Sequence, residues 1–256
     1  MTVASNTVSG PANIPVSLQI VAKGAPLIYY QGVLDNGTFV PGDTVAQGDV
    51  MVVKGEQLSF SPFTQGQAPP LVTSVGGATV LVNGTAAPLF YSSSVQLAFQ
   101  MPVDTPLGTA LVQVKRDDWQ TSNTVSVNVA ARAPRLLAVV NQNGTVNVPD
   151  GSHPAQAGEY LTIYAIGLGA TSPAVATGAP APAAEPYARV NTDVVVNFGG
   201  SVVGPLVVPA YAGLTPTYAG LYQVNVIVPD GSPRGIVDLS IGFSEARSNS
   251  LKIAVQ

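Results

Sequence analysis

Two stretches of this sequence repeat each other 127 residues apart, which limits the chain to a fold that can be built twice in series. Gln96-Leu97-Ala98-Phe99-Gln100-Met101-Pro102-Val103-Asp104-Thr105-Pro106-Leu107-Gly108 lines up with Gln223-Val224-Asn225-Val226-Ile227-Val228-Pro229-Asp230-Gly231-Ser232-Pro233-Arg234-Gly235. After a one-residue slip, Ser122-Asn123-Thr124-Val125 matches Ser248-Asn249-Ser250-Leu251. The alternating Val125, Val127 and Val129 then match Leu251, Ile253 and Val255. The earlier halves agree more loosely: Asn36-Gly37-Thr38 with Asn143-Gly144-Thr145, Gly48-Asp49 with Gly158-Glu159, and Asn83-Gly84 with Gly199-Gly200. The copies divide near Ala131-Arg132-Ala133-Pro134, a short junction whose proline predicts limited bending.

Within each copy the hydrophobic period is two. Thr79 to Val82, Val194 to Phe198, Thr109 to Val114 and Ile236 to Phe243 read as strands bounded by Gly, Pro or Asn-Gly. Pro102, Pro106, Pro229 and Pro233 mark strand ends, because proline cannot donate to a ladder. No segment carries a helical stripe. The 26 glycines and 22 prolines are spread without a short period, as many tight turns require. About seven short strands in a unit of roughly 110 to 125 residues is the size of an immunoglobulin-like sandwich. The expectation is an all-β chain of two tandem immunoglobulin-like β-sandwiches with an N-terminal extra strand. Residues 1–24 would be an extension, 25–132 the first sandwich and 133–256 the second. Thr171 to Pro186, rich in Pro and Ala, reads as an ordered but irregular surface loop of the second copy.

Longer motifs add a resemblance. These are Gly158-Glu159-Tyr160-Leu161-Thr162-Ile163-Tyr164-Ala165-Ile166-Gly167-Leu168-Gly169, then Tyr211-Ala212-Gly213-Leu214 followed by Gly220-Leu221-Tyr222-Gln223-Val224-Asn225-Val226. They resemble the opening strand, glycine turn and most recognisable stretch of an uncharacterised Ig-like C-terminal domain family in exported acidobacterial proteins. The first copy, through Val82-Asn83-Gly84, Ala87-Pro88-Leu89-Phe90 and Gln96 to Pro102, is similar to the unit that often precedes it. The resemblance covers about residues 25 to 256. It implies an extracellular accessory module and brings no established activity or binding residues. Such units usually close a much longer protein, whereas this chain is almost nothing else.

Composition narrows the function classes. The net charge is −4 and the ten basic residues never cluster, so neither nucleic acid nor an anionic membrane surface finds a basic stripe. No apolar run has the length of a membrane span. Met1-Thr2-Val3-Ala4-Ser5 lacks the charged and apolar regions of a signal peptide, so Met1 is an artificial start or an export signal has been removed. The absence of cysteine excludes disulfides, thiolate metal sites and cysteine nucleophiles. Low charge, abundant Thr, Ser, Asn and Gly, and only four lysines point to the bacterial cell surface or exterior.

No catalytic, cofactor or metal residues are expected. The sole histidine, His153, lies in the turn-like Asp150-Gly151-Ser152-His153-Pro154, and no G-x-S-x-G elbow accompanies it. Asp43 and Asp49, or Asp117-Asp118, lack the carboxylate spacing of a calcium loop. Asn36, Asn83 and Asn143 each open an Asn-Gly-Thr triplet, a glycosylation acceptor pattern that is also the preferred type I′ hairpin turn; the turn reading is favoured. Lys23, Lys54, Lys115 and Lys252 could each be tested for a lysine–asparagine isopeptide bond, but nothing selects a pair. Trp119, at an expected hairpin tip beside two acids, either covers the sandwich end, the favoured reading, or anchors a sugar or partner protein.

The N-terminal segment is a strand without a home. Ile14, Val16, Leu18 and Ile20 alternate with smaller or polar residues, and Val16 to Lys23 resembles the closing strand Val125 to Arg132. It could be an edge strand of its own first sandwich, the remnant of a preceding domain, or a strand donated to a neighbouring subunit. Donation would join chains head-to-tail, and such a contact grows a filament if it does not close. The expected function is therefore a non-catalytic extracellular structural protein, a subunit or spacer of a surface assembly that self-associates head-to-tail. The alternative is an adhesin or carbohydrate-binding accessory module of a longer exported protein, which would contact a surface glycan or protein through end loops including Asp117 to Thr121 and Thr171 to Pro186.

Overall fold

The computed structural model describes residues 24–199 and 206–256, together with the short strands Thr2–Val3 and Ala12–Asn13, which pair antiparallel. Ile14, Val16, Leu18, Ile20 and Lys23 lie outside the described residues. Among the described residues there are strands, turns and bends but no helix.

The first copy contributes seven principal strands: β1 (Leu27–Asp35), β2 (Val50–Glu56), β3 (Ala78–Val82), β4 (Leu89–Ser92), β5 (Gln96–Gln100), β6 (Gly108–Arg116) and β7 (Val125–Ala130). One sheet runs β1-β2-β5-β4 and ends on Thr64–Gln65. The other runs β7-β6-β3, with Val45–Ala46 parallel to β7 on one edge and Thr85–Ala87 on the other. The second copy repeats the set as β8 (Arg135–Asn141), β9 (Tyr160–Ile166), β10 (Val195–Phe198), β11 (Tyr211–Leu214), β12 (Tyr222–Ile227), β13 (Gly235–Gly242) and β14 (Leu251–Val255). Its sheets run β8-β9-β12-β11 and β14-β13-β10. In both copies the first, second, fifth and fourth strands share one sheet, and the third, sixth and seventh share the other. That strand order is the immunoglobulin sandwich.

The alternation seen in the sequence builds the cores. Ala78, Val80 and Val82 of β3 and Ala110, Val112 and Val114 of β6 face Met51, Val53, Leu97 and Phe99 across the first sandwich. Leu161, Ile163, Val224 and Val226 face Val196, Phe198, Leu239 and Ile253 across the second. Each large apolar side chain so buried contributes about 1.5–3 kcal/mol, and a one-residue slip would turn every one of them to solvent.

The repeated Ser-Asn has a structural task in each copy. Asn123 accepts from the Ile28 amide (2.8 Å) and donates to the Ile28 carbonyl (3.0 Å), tying the approach to β7 to strand β1 of the opposite sheet. Asn249 does the same to Leu136 in β8, at 2.7 and 3.2 Å. Ser122 Oγ accepts from Val114 N and donates to its neighbour's carbonyl, and Ser248 Oγ repeats this with Ile241 and Asn249.

Two expectations are corrected. Of the three Asn-Gly-Thr triplets only Asn83-Gly84 has both central residues at positive φ, 50° and 82°. At Asn143 only Gly144 is left-handed, closing a three-residue loop with Gly144 N bonded to Asn141 O. At Asn36 the turn is held by Asp35, whose carboxylate accepts from the amides of Gly37 and Thr38. The Thr171 to Pro186 segment is also not simply a surface loop. Thr171–Ser172 joins the sheet beside Arg189–Val190, Ala181 is in the core, and Gly178 packs on the first sandwich. Both backbone groups of Gly178 find partners on the first copy, Gln100 and Leu71, which only tertiary contact could supply.

Candidate functional site

The most constrained polar site lies where the sandwiches meet. In the first copy the turn Ala46-Gln47-Gly48-Asp49 leads into β2, with Gly48 at φ 71° and Asp49 N bonded to Ala46 O. The Asp49 carboxylate is fully buried and accepts from the amides of Ala46 (3.2 Å) and Val50 (2.9 Å). Burial against the second sandwich pushes its pKa up to about 7, and nearby Asp35 adds to the rise; the two amides and Arg135 oppose it.

The second sandwich supplies the matching surface from positions that must be glycine. A Cβ on Gly167, at φ 73°, would sit 2.2 Å from the Ala133 carbonyl and 3.4 Å from Asp49 Oδ2. One on Gly220, at φ 67°, would press on Val50, Gln100 and the Gly48 carbonyl. Tyr222 is buried beside them, its hydroxyl donating to Gly169 O; desolvation, then Asp49, raises its pKa. Gln100 is the central polar link: its amide donates to Gly48 O and its oxygen accepts from Gly178 N at 2.6 Å. Val103 N donates to Thr177 Oγ1, and Leu71 N to Gly178 O. On the other flank Arg135 of β8 reaches Asp43 (3.1 Å) and Asp35 (3.6 Å) of the first copy. A cavity of about 170 Å³ lined by Gln47, Gln100, Val103, Ala174, Gly220 and Tyr222 remains in the junction. These groups join the two sandwiches and include no nucleophile set beside a base.

The other candidate residues are placed elsewhere. Ser152 Oγ lies 2.9 Å from His153 Nδ1, but both are exposed turn residues and Asp150 accepts from the Ser152 amide rather than orienting the imidazole. A hydrolytic triad needs the acid on the far ring nitrogen. Asp43 bonds Arg135 and Asp49 is sealed by amides. Among the described residues no group of three or more His, Asp or Glu side chains could hold a metal ion. Lys54 lies over Phe39, Lys115 over Trp119, and Lys252 pairs with Asp238, so these three lysines are directed at other partners than an asparagine. No helix among the described residues is long and apolar enough to cross a membrane.

Trp119 stands at the β6–β7 hairpin tip, 80% exposed. It therefore does not cover the sandwich end, contrary to the favoured expectation. Arg116 closes that end instead: its buried guanidinium donates to Gln57 O and Gly24 O, pairs with Asp118 and lies over Phe60. Gln100, Gly178 and Arg116 carried no signal in the sequence, because each is defined by partners far away along the chain. Asp49 did carry one, its alignment with Glu159.

No family model and no curated protein matches the chain. Solved structures similar to it include an SGBP-B from the Bacteroides ovatus mixed-linkage glucan utilization locus in complex with a mixed-linkage heptasaccharide (12% identity, 100% of this chain, 52% of that chain, TM-score 0.37). Others are a gamma-CGTase from alkalophilic Bacillus clarkii (15%, 91% and 25%, 0.31) and domains 5-6 of the S-layer protein SbsC (16%, 90% and 98%, 0.28). The chain spans a quarter of the CGTase and about half of the glucan-locus protein. The assignment of the fold rests on the strand order described above.

Proposed function

We propose that the protein is a non-catalytic extracellular structural subunit or spacer, joined head-to-tail into a surface assembly. The observation that supports this is the duplication of the junction turn at the far end of the second sandwich. Gln156-Ala157-Gly158-Glu159 repeats Ala46 to Asp49: Gly158 is at φ 85°, Glu159 N bonds Gln156 O, and its carboxylate accepts from Gln156 N. Val228 N bonds Glu159 O as Met101 N bonds Asp49 O. Where Val50 and Gln100 press on the second sandwich, the paired Tyr160 and Ile227 are 45% and 40% exposed. In this reading the far end receives the next subunit, and Ile14 to Ile20 supplies the strand that precedes the arriving sandwich as β7 precedes the second. The resemblance to exported acidobacterial domains supports the exterior location.

Electron microscopy and sedimentation of the full chain are expected to show concentration-dependent linear association. Deleting residues 1–23, which spares the Gly24 carbonyl that Arg116 bonds, or introducing Tyr160→Lys with Ile227→Glu, an opposite-charge pair across the two strands, should leave monomers that melt close to the parent. A full chain that remains monomeric, with a deletion that lowers its melting temperature at every concentration, would assign the N-terminal strand to its own sandwich and end the proposal.

A further inference from the structure

The hairpin that carries Trp119 has the same hydrogen-bond pattern as the one that carries Gly144. In one, Gly144 N bonds Asn141 O and Asn141 N bonds Thr145 O; in the other, Trp119 N bonds Arg116 O and Arg116 N bonds Gln120 O. Both loops place their third residue in the left-handed region, Gly144 at φ 84° and Trp119 at φ 64°. Glycine occupies that position without steric cost, whereas a bulky side chain there is a true outlier. Strain of this kind persists where the surroundings hold it, and its usual setting is a binding surface.

The strain does not bury the ring. Trp119 is 80% exposed, with the Lys115 ammonium 4.4 Å from the ring centroid, so the indole is steadied by a cation and left open to solvent. It borders a groove of about 420 Å³ on the outer face of the β6-β3 sheet, within the size range of small-ligand sites. Leu81 and Ala86 form an apolar part of the floor, Thr79 and Ser74 add hydroxyls, and Asp117 closes one end. Asp117 is set there by Gly77 at φ 74°, where a Cβ would lie 2.3 Å from the carboxylate.

We propose that this groove binds an oligosaccharide. A flat aromatic ring beside spaced hydroxyl, ammonium and carboxylate groups matches a pyranose, which offers C–H bonds on its faces and hydroxyls around its rim. A protein partner would instead favour an apolar centre able to exclude water, and here polar groups surround the ring. The inference does not depend on head-to-tail assembly, since the groove lies on a sheet face and not at the junction.

Trp119 is the only tryptophan, so fluorescence excited selectively in tryptophan, at a wavelength the nine tyrosines do not absorb, reports this site alone. The full chain is titrated with cellohexaose, maltohexaose and a chitohexaose. A saturable change in Trp119 emission with at least one of them is expected, confirmed by calorimetry. Trp119→Gly should weaken that binding by about tenfold or more while raising the melting temperature, because it removes the ring and relieves the strain together. A ring retained for structure would move the melting temperature the other way. No response to any of the three sugars, or a Trp119→Gly variant that melts lower than the parent, overturns the proposal. So does a Trp119 shielded from acrylamide by raised protein concentration alone, which would assign the groove to a second copy of the chain.

Discussion

The turns Ala46 to Asp49 and Gln156 to Glu159 are one local structure in two settings. Both place glycine third, at positive φ, and an acid fourth whose side chain accepts from the first residue's amide. In the first copy the acid is sealed against the second sandwich; in the second it is part-exposed at the far end. The shared geometry comes from short-range sequence and is written twice. The different electrostatics come from what is stacked on the turn. The Asp49 carboxyl, which would titrate near 3.8 in water, is held at about 7 where the second sandwich covers it.

The largest effect expected from breaking this symmetry is at the glycines. Gly167→Ala places a methyl against the Ala133 carbonyl in a left-handed backbone, and should cost roughly 2–5 kcal/mol. Gly158→Ala, with nothing within 4 Å of the new methyl, should cost only the backbone strain, about 1–2 kcal/mol. Urea melts of the two variants check this, and equal losses would mean that the junction is not close-packed.

Next comes the pH dependence of Asp49. Its folded pKa is raised above the unfolded value, so between about 4 and 7 the folded chain binds more protons than the unfolded one. Its contribution is therefore most favourable below the unfolded pKa and is lost as pH rises through about 7, a change on the order of a few kcal/mol. Asp49→Asn keeps an acceptor for one amide and carries no charge. It should raise stability at pH 8 and flatten the slope between pH 4 and 7, as followed by thermal melts. A slope unchanged by Asp49→Asn would place the titration elsewhere.

The two inter-sheet asparagines sharpen the comparison from the other side, because their surroundings are alike. Asn123→Ala and Asn249→Ala each leave a strand amide and carbonyl without their partner and should each cost about 1–3 kcal/mol. Chemical denaturation should find similar losses, and a large difference would show that the copies close their sheets differently. The smallest effect is expected from Glu159→Gln, within about 0.5 kcal/mol, because the part-exposed side chain keeps an oxygen to accept from the Gln156 amide. A larger loss in melts at high protein concentration would reveal that this end is occupied in solution.

Much of the fold was legible because its causes are local. Alternating Val80, Val82, Val112 and Val114 declare strands with one buried face, and the prolines after β5 and β12 declare where ladders stop. The matched Ser-Asn pairs announced equivalent positions, though not that the asparagine spans two sheets, since its partners Ile28 and Leu136 lie 95 and 113 residues from it. Trp119 was visible as the lone tryptophan at a turn, but its left-handed backbone and exposed ring depend on how the hairpin closes.

The sequence by itself determined that this chain is two copies of one seven-stranded unit, because a period of two and a period of about 127 residues are properties of residue order. Only the tertiary structure decided that Asp49 is buried while Glu159 is not, that Gly178 leaves its loop to bond Gln100, and that Arg116 rather than Trp119 closes the first sandwich. The reason is physical. Burial, and every pKa that follows from it, belongs to the surface that arrives from elsewhere in the chain, and a residue's neighbours in sequence carry no record of that arrival.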